Sequence, residues 1–203
     1  MTRTPDDSQS TGRRGRPPRV AASAHAAILD AVHDLLKEKS VRDLTMEEVA
    51  RRAKVGKPTL YKWWPTKAAL VLAMFHERIA SQAPVPETAT VEESIRLKTR
   101  RLIREFNGLF GKVMADLIAE GQSEPDLLRD LTEQHMAPRR DATAADIERA
   151  KIDGEFLTDM DTGLVIDAIF GPIYFRLLMR QQPLTEAYGD ALIEQALHRW
   201  RAG

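Results

Sequence analysis

The sequence predicts an all-α fold, and three observations favour this class. Apolar residues make up 43% of the 203 positions, and along most of the chain they recur at the three- and four-residue spacings of amphipathic helices. Alternation of apolar and polar residues lasts nowhere long enough to build a sheet. Residues that begin or end helices, such as Thr45 and Pro65, stand between the apolar stripes.

Composition excludes several classes of protein. The chain has no cysteine, which rules out disulfide scaffolds, thiolate metal sites and cysteine nucleophiles. It has no apolar run near the roughly 20 residues that a membrane span needs. The first 25 residues are polar and basic, without the apolar stretch of a signal peptide. We therefore expect a soluble cytoplasmic protein that does not enter a membrane.

Charge is divided unevenly along a chain whose formal net charge is zero. Residues 1–80 hold 15 basic and 9 acidic side chains, whereas residues 81–203 hold 15 basic and 21 acidic ones. Such asymmetry suggests that the first part meets a polyanion or an acidic surface. The alternative is a chance distribution over two solvated faces.

Residues 1–22 are predicted to form a disordered basic arm, because the segment is too poor in large apolar residues to order itself. Prolines such as Pro17 and Pro18 keep its basic cluster extended. An extended basic segment suits a narrow groove of negative potential, although a solubilising tail has the same composition. The arginines of this cluster are Arg13, Arg14, Arg16 and Arg19.

Residues 23–80 are predicted to form a domain built on a helix-turn-helix. A first amphipathic helix starts near Ser23, and Thr45 followed by Glu48 has the capping-box pattern that opens a second. A three-residue break, Lys54 to Gly56, separates it from a short third helix. That helix ends before Pro65, and Thr66 can cap a fourth helix.

The short third helix carries basic, hydroxyl and aromatic side chains on its predicted exposed face. A helix of this kind fits the major groove of DNA, where side chains reach base edges. The alternative is a surface helix hairpin in a protein that binds no DNA. The exposed side chains are expected to be Lys57, Thr59, Tyr61, Lys62 and Trp63.

Residues 44–70 resemble the DNA-binding signature of TetR-family transcriptional repressors. The shared frame is Leu-Thr at 44–45, Val-Ala at 49–50, Ala-x-Val at 53–55, Thr-Leu-Tyr at 59–61, Trp-x-Thr-Lys at 64–67, and a leucine at 70. The resemblance covers about residues 23–75. It implies a helix-turn-helix domain followed by a helical ligand-binding and dimerisation domain.

The resemblance also implies roles for individual residues. Members commonly have glycine where Lys54 stands and serine where Gly56 stands, so either Lys54 bears the backbone strain of the turn or the turn relaxes at Gly56. The basic arm resembles the minor-groove arms of some members. The implied DNA-backbone contacts are Thr45, Tyr61, Thr66 and Lys67, and the implied groove-facing residues are Gly56, Lys57, Pro58, Thr59 and Lys62.

Residues 81–203 are predicted to form the helical effector-binding and dimerisation domain. Helical runs are expected at about 91–110, 111–122, 125–150, 161–180 and 185–201. The apolar stripes of the last two helices could pair with the same helices of a second chain, as the family does, or could be ordinary monomer core. The expected homodimer contacts are Ile169, Ile173, Leu177, Leu192, Leu197 and Trp200.

Aromatic and apolar side chains in this domain could line an effector pocket, although such stripes are more often core. We expect no cofactor, metal or catalytic site, because the histidines form no ligand-spaced pair and no nucleophile or phosphate-binding motif occurs. The candidate pocket residues are Phe106, Phe110, Met114, Leu117, Phe170 and Tyr174.

These patterns predict a sequence-specific regulator of transcription that binds double-stranded operator DNA. The expected form is a repressor that a small hydrophobic or aromatic effector releases. An alternative from a different functional class is a small helical enzyme or adaptor whose helix-turn-helix does not bind DNA. That alternative leaves the basic arm and the charge division unexplained.

Overall fold

The structure is a computed structural model that describes residues 18–78 and 90–201, and these ranges are helical as predicted. Across them strand pairing is limited to an isolated bridge between Phe156 and Arg201. A π-helical turn, Thr132–Met136, joins α7 to α8, and a 3₁₀ turn, His198–Trp200, extends α10. The helices are α1 Pro18–Glu38, α2 Met46–Arg52, α3 Lys57–Trp63, α4 Lys67–Arg78, α5 Val91–Phe106, α6 Leu109–Gly121, α7 Pro125–Leu131, α8 Ala137–Ile152, α9 Thr162–Met179 and α10 Glu186–Leu197.

Helix α1 begins at Pro18, five residues before the predicted start at Ser23. Proline is favoured in a first helical turn, because its fixed φ suits the helix and its missing N–H has no helical partner there. Residues 18–22 therefore belong to α1 and not to the predicted arm. Arg13, Arg14 and Arg16 lie outside the described residues, and Arg19 falls in the first turn of α1.

The first four helices enclose a core beneath the helix-turn-helix. Helix α1 packs against α2 and α4, and α2 packs against α3. The predicted caps are confirmed: Thr45 Oγ1 accepts from the Glu48 amide at 3.3 Å, and Thr66 Oγ1 accepts from the Ala69 amide at 3.0 Å. Fully buried side chains in this core are Ile28, Leu29, Val32, Leu36, Val49, Leu60 and Leu70.

The second half is a bundle in which α5 contacts α8, α9 and α10. Its aliphatic core combines Ile95 of α5 with side chains of α8, α9 and α10, such as Ile147, Ile169 and Ile193. Helix α6 follows α5 after a turn at Gly108. Gly111 has to lack a side chain here, because a Cβ atom would overlap the main-chain carbonyl of Phe106.

The hydrophobic core runs without a break from the first half of the chain into the second. Phe75 of α4 stacks on Phe110 of α6, with ring centroids 4.3 Å apart. The α1–α2 loop is also tied to α6, where Asp116 accepts a hydrogen bond from the Val41 amide at 3.0 Å. Helix α4 therefore connects the helix-turn-helix directly to the interior of the second half.

Candidate DNA-binding face and ligand site

The turn between α2 and α3 places one non-glycine residue in a left-handed conformation. Lys54 has φ 53°, whereas Gly56 has φ −73° and ψ 142°, which any residue can adopt. Lys54 therefore bears the strain of the turn, and Gly56 is not needed for it. Gly56 is instead the N-cap of α3, which has no side-chain cap hydrogen bond.

Helix α3 presents most of its predicted contact residues to solvent. Lys57, Pro58 and Lys62 are exposed, Thr59 is half-buried, and Tyr61 has 47% of its surface accessible. The Lys57 ammonium lies 2.7 Å from Glu47 Oε1. Its hydrogen bond holds the pKa of Glu47 below the usual value. The face is basic, and the pairing with Glu47 competes with any contact of Lys57 with DNA.

Trp63 differs from the prediction, because it is half-buried and not on the exposed face. Its ring lies 5.6 Å from the His25 ring of α1 and meets Trp64 edge-on at 5.7 Å, measured between centroids. Trp64 itself is buried in the core. Two consecutive tryptophans at the end of a short helix thus anchor α3 to α1, which orients the exposed part of α3.

The residues that open α4 lie beside the loop between α1 and α2. Thr66 is exposed, and the Lys67 ammonium donates to the main-chain oxygen of Arg42 at 3.0 Å. Arg42 is an exposed basic residue that the sequence reasoning missed. The feature of the sequence that marks Arg42 is its position, three residues before the Thr45 cap at the start of α2. Arg42 and Lys67 together extend the basic face beyond α3.

The structure brings the predicted effector residues together in the core. The Phe106 and Phe110 rings stack at 5.5 Å, and Phe106 meets Tyr174 edge-on at 5.1 Å. Phe106, Phe110, Met114 and Leu117 are buried, and Phe170 and Tyr174 are partly buried against them. Phe106 also lines an open groove of about 490 Å³ between the α5–α6 turn and the end of α9.

Two histidines lie in the same aromatic cluster, and the sequence reasoning missed both. His76 of α4 and His135 of the π-helical turn have ring centroids 5.6 Å apart. Burial, reinforced by Arg139 and His76, lowers the pKa of His135 to about 3, and burial with Arg139 lowers the pKa of His76. The two residues are 59 positions apart in the sequence, so no local spacing pattern could predict that they lie together.

Four of the six predicted dimer contacts require correction, because the structure places them in the core of a single chain. Ile169, Ile173, Leu177 and Leu197 lie in the protomer's own core, and Leu192 and Trp200 are partly buried against it. A side chain with no accessible surface cannot contact a second chain. Helix α9 has a second, exposed apolar stripe at four- and three-residue spacings, formed by Leu164, Ala168, Gly171, Phe175 and Leu178, with Met179 beside it.

Among the described residues, no three His, Asp or Glu side chains are grouped so that they could hold a metal ion. Helix α9 is long and apolar enough to cross a membrane by length and composition alone. Its inner stripe nevertheless belongs to the core, and the exposed stripe accounts for its remaining apolar character.

Family profiles match both halves of the chain. Residues 28–74 match the bacterial regulatory proteins of the tetR family, and residues 85–196 match the tetracyclin repressor-like C-terminal domain. The chain is 34% identical over 184 residues to YdeS of Bacillus subtilis (strain 168), an uncharacterized HTH-type transcriptional regulator, which covers 91% of this chain and 92% of YdeS.

Two further similar proteins are also transcriptional regulators. The DNA-binding transcriptional repressor TetR of Mycobacteroides abscessus is 27% identical, over 85% of this chain and 90% of that protein. The crystal structure of the TetR-family transcription regulator SCO0332 has a TM-score of 0.71 at 30% identity, over 87% of this chain and 97% of that one. Regulators of this family bind operator DNA, dimerise, bind small-molecule effectors and are typically not enzymes. The chain belongs to the TetR family and is a DNA-binding transcriptional regulator.

Proposed function

We propose that the chain is a homodimeric repressor that leaves its operator when a small hydrophobic or aromatic effector enters the second half. One observation carries the proposal: α4 starts beside the DNA-binding face at Lys67 and ends inside the aromatic cluster at Phe75 and His76. A change in that cluster therefore acts on α4, which packs against α1 and directly follows α3 in the chain.

DNA contacts divide into those that position the protein and those that read sequence. Lys67, Arg42 and Thr45 lie at helix starts or in the adjoining loop, where they suit phosphates. Lys57, Thr59 and Lys62 lie on α3 and suit base edges in the major groove. Tyr61, half exposed on the same helix, suits the backbone beside the groove.

The exposed stripe of α9 is the surface that we assign to the homodimer. Phe175 is 55% exposed and Leu164 is 61% exposed, which is unusual for large apolar side chains on one face of a helix. Two copies related by a twofold axis would cover the stripe with itself. A dimer also places two α3 helices on two half-sites, which raises the affinity for DNA.

Effector action follows from the preference of the ligand for one arrangement of α4. A ligand that prefers a spacing of the two α3 helices that does not fit the operator lowers DNA affinity by that preference alone. Couplings of about 1–3 kcal/mol correspond to roughly 5- to 150-fold weaker binding. The pair of α9 stripes holds the second halves together while the first halves move.

The test compares Phe175→Glu with Ile152→Glu, because Ile152 is 85% exposed and lies on α8 outside the stripe. Sedimentation and binding to an operator selected from random duplexes are measured for each. We expect Phe175→Glu to be a folded monomer with at least 100-fold weaker operator binding, because a buried unpaired charge opposes association. Ile152→Glu should behave as the wild type. A Phe175→Glu protein that stays dimeric and binds normally contradicts the assignment.

A further inference from the structure

Three buried side-chain polar atoms have no hydrogen-bond partner within the part of the chain that the structure describes. They are His76 Nε2, His135 Nε2 and Thr99 Oγ1. Buried polar atoms are nearly always paired, so an unpaired one needs a specific explanation. Two of the three belong to neighbouring rings, and His135 is only 4% exposed.

The backbone around His135 is also unusual. The residue lies in a π-helical turn, in which the Ala137 amide donates to the Thr132 carbonyl five residues earlier. Pro138, at the start of α8, has no amide hydrogen and cannot donate to the carbonyl of Gln134. Such turns are frequent at functional sites, and this one turns His135 into the core and not toward solvent.

The two histidines have aromatic walls. The His135 ring lies 4.5 Å from the Phe75 ring and 5.4 Å from the Phe110 ring, measured between centroids. Phe106 and Tyr174 continue the wall beyond Phe110. An aromatic ligand ring that stacks on these side chains gains energy beyond its buried area.

The charge of the cluster favours an acceptor group. Burial keeps both histidines neutral at neutral pH, so each ring carries one N–H donor. The Arg139 guanidinium lies 5.4 Å from the Phe110 ring centroid and pairs with Glu105 at 3.2 Å. Its positive charge also acts on His76, His135 and Tyr174. That field stabilises an anion in the cluster and opposes a cation.

We propose that the effector of this regulator is an aromatic carboxylate whose carboxylate group accepts hydrogen bonds from His76 and His135. Its ring lies against Phe110, and Arg139, which keeps its pairing with Glu105, acts on the carboxylate through space. The inference rests on the proposed function, because it names the ligand class of the same site. Charge-assisted hydrogen bonds of this kind are about twice as strong as neutral ones.

The position of His76 supplies the link to DNA. His76 and Phe75 belong to α4, whereas His135 and Phe110 belong to the second half. Phe75 and Phe110 are in stacking contact at 4.3 Å, so a ligand ring that enters between them separates α4 from α6. The carboxylate then holds His76 in the displaced position.

The experiment uses 2-naphthoate and 2-naphthamide, which share a ring system and differ in charge. Calorimetric titration of the full chain should show that the carboxylate binds at least 10-fold more tightly than the amide. In His135→Phe, which keeps the ring shape without a donor, the preference should fall below about 3-fold. His198→Phe, on the exposed 3₁₀ turn, should keep the wild-type preference. Ring ¹⁵N signals of His76 and His135 should shift on addition of 2-naphthoate.

Equal affinity for the two probes, or no binding of either one, overturns the carboxylate assignment. An unchanged preference in folded His135→Phe overturns the role of His135. Operator binding without ligand is measured on the same proteins. A wild type that selects no operator means that the proposed function fails, whereas normal operator binding without a carboxylate preference means that only this inference fails.

Discussion

The ammonium group of Lys112 on α6 donates a hydrogen bond to the main-chain oxygen of Leu36, 2.8 Å away near the end of α1. The same group donates to the carbonyl of Lys39. The last carbonyls of a helix have no partner inside it, so a cation there satisfies them. Together with the bond from the Val41 amide to Asp116, Lys112 fixes α6 to the DNA-binding half of the chain.

Replacing Lys112 should loosen this attachment. We expect Lys112→Met to lower the free energy of unfolding by about 1–2 kcal/mol, because two main-chain acceptors lose their donor. Methionine keeps nearly the length of the lysine side chain but not its charge. Urea denaturation measures the change. Lys37→Met removes only an exposed ion pair with Asp34 and should leave the free energy of unfolding nearly unchanged. Equal effects in the two variants would show that the Lys112 contacts contribute nothing specific.

The left-handed conformation of Lys54, in the turn between α2 and α3, should lower the stability of the chain. Lys54→Gly should be more stable than Lys54→Ala by about 1 kcal/mol, because glycine adopts a positive φ without Cβ strain. Gly56→Ala should be neutral or slightly stabilising, since its φ is ordinary and an added Cβ would meet only Pro58 Cδ at 3.6 Å. Thermal unfolding of the three variants checks both expectations. A Lys54→Ala protein as stable as Lys54→Gly would contradict the strain.

Most of the helix-turn-helix could be predicted from sequence, because its signals are local. Thr45 and Thr66 are caps that bond to amides three residues ahead, and the apolar stripe of α1 needs only its own spacing. Trp63 was misplaced because local spacing does not distinguish an exposed aromatic ring from one that packs on His25 of another helix.

Phosphate contacts and base contacts should respond differently to substitution. Lys67→Ala should weaken binding to all duplexes nearly equally. It should also reduce the magnitude of the slope of log affinity against log salt by about 0.9, because the protein then neutralises one phosphate fewer. Lys62→Met should instead change the base preference at one position of each half-site. Binding isotherms on operator and scrambled duplexes at several salt concentrations distinguish the two. If Lys67→Ala changes the base preference and leaves the salt slope intact, the docking of α4 is wrong.

The buried histidine makes stability depend on pH. The unfolded chain protonates His135 near its ordinary pKa of 6.5, whereas the folded chain does so only near 3. Between these values the unfolded state binds more protons, so the free energy of unfolding falls as pH falls. His135→Phe should remove about 2 kcal/mol of the loss between pH 7 and pH 5. His198→Phe serves as control, and an unchanged pH profile in His135→Phe would show that His135 is not protected from protons.

Which residues of the second half are buried was harder to predict from the sequence, because α9 carries two apolar stripes and only one of them can face the core. Ile169 and Ile173 were expected between chains, yet they face inward, and Phe175 faces outward. Sequence alone gives both stripes the same helical spacing, and only the positions of α5, α8 and α10 decide which stripe is covered. The pair of His76 and His135 was missed for a related reason, since tertiary packing alone unites them.

Selection of bound sequences from a pool of random duplex DNA by the full wild-type chain tests operator binding by the dimer most directly. Two α3 helices held by the α9 stripes should each read one half-site, so we expect enrichment of a single inverted repeat. The same selection with Phe175→Glu should lose that enrichment. Recovery of no common sequence, or of a single unrepeated site bound equally well by Phe175→Glu, would contradict operator binding by a dimer that the α9 stripes hold together.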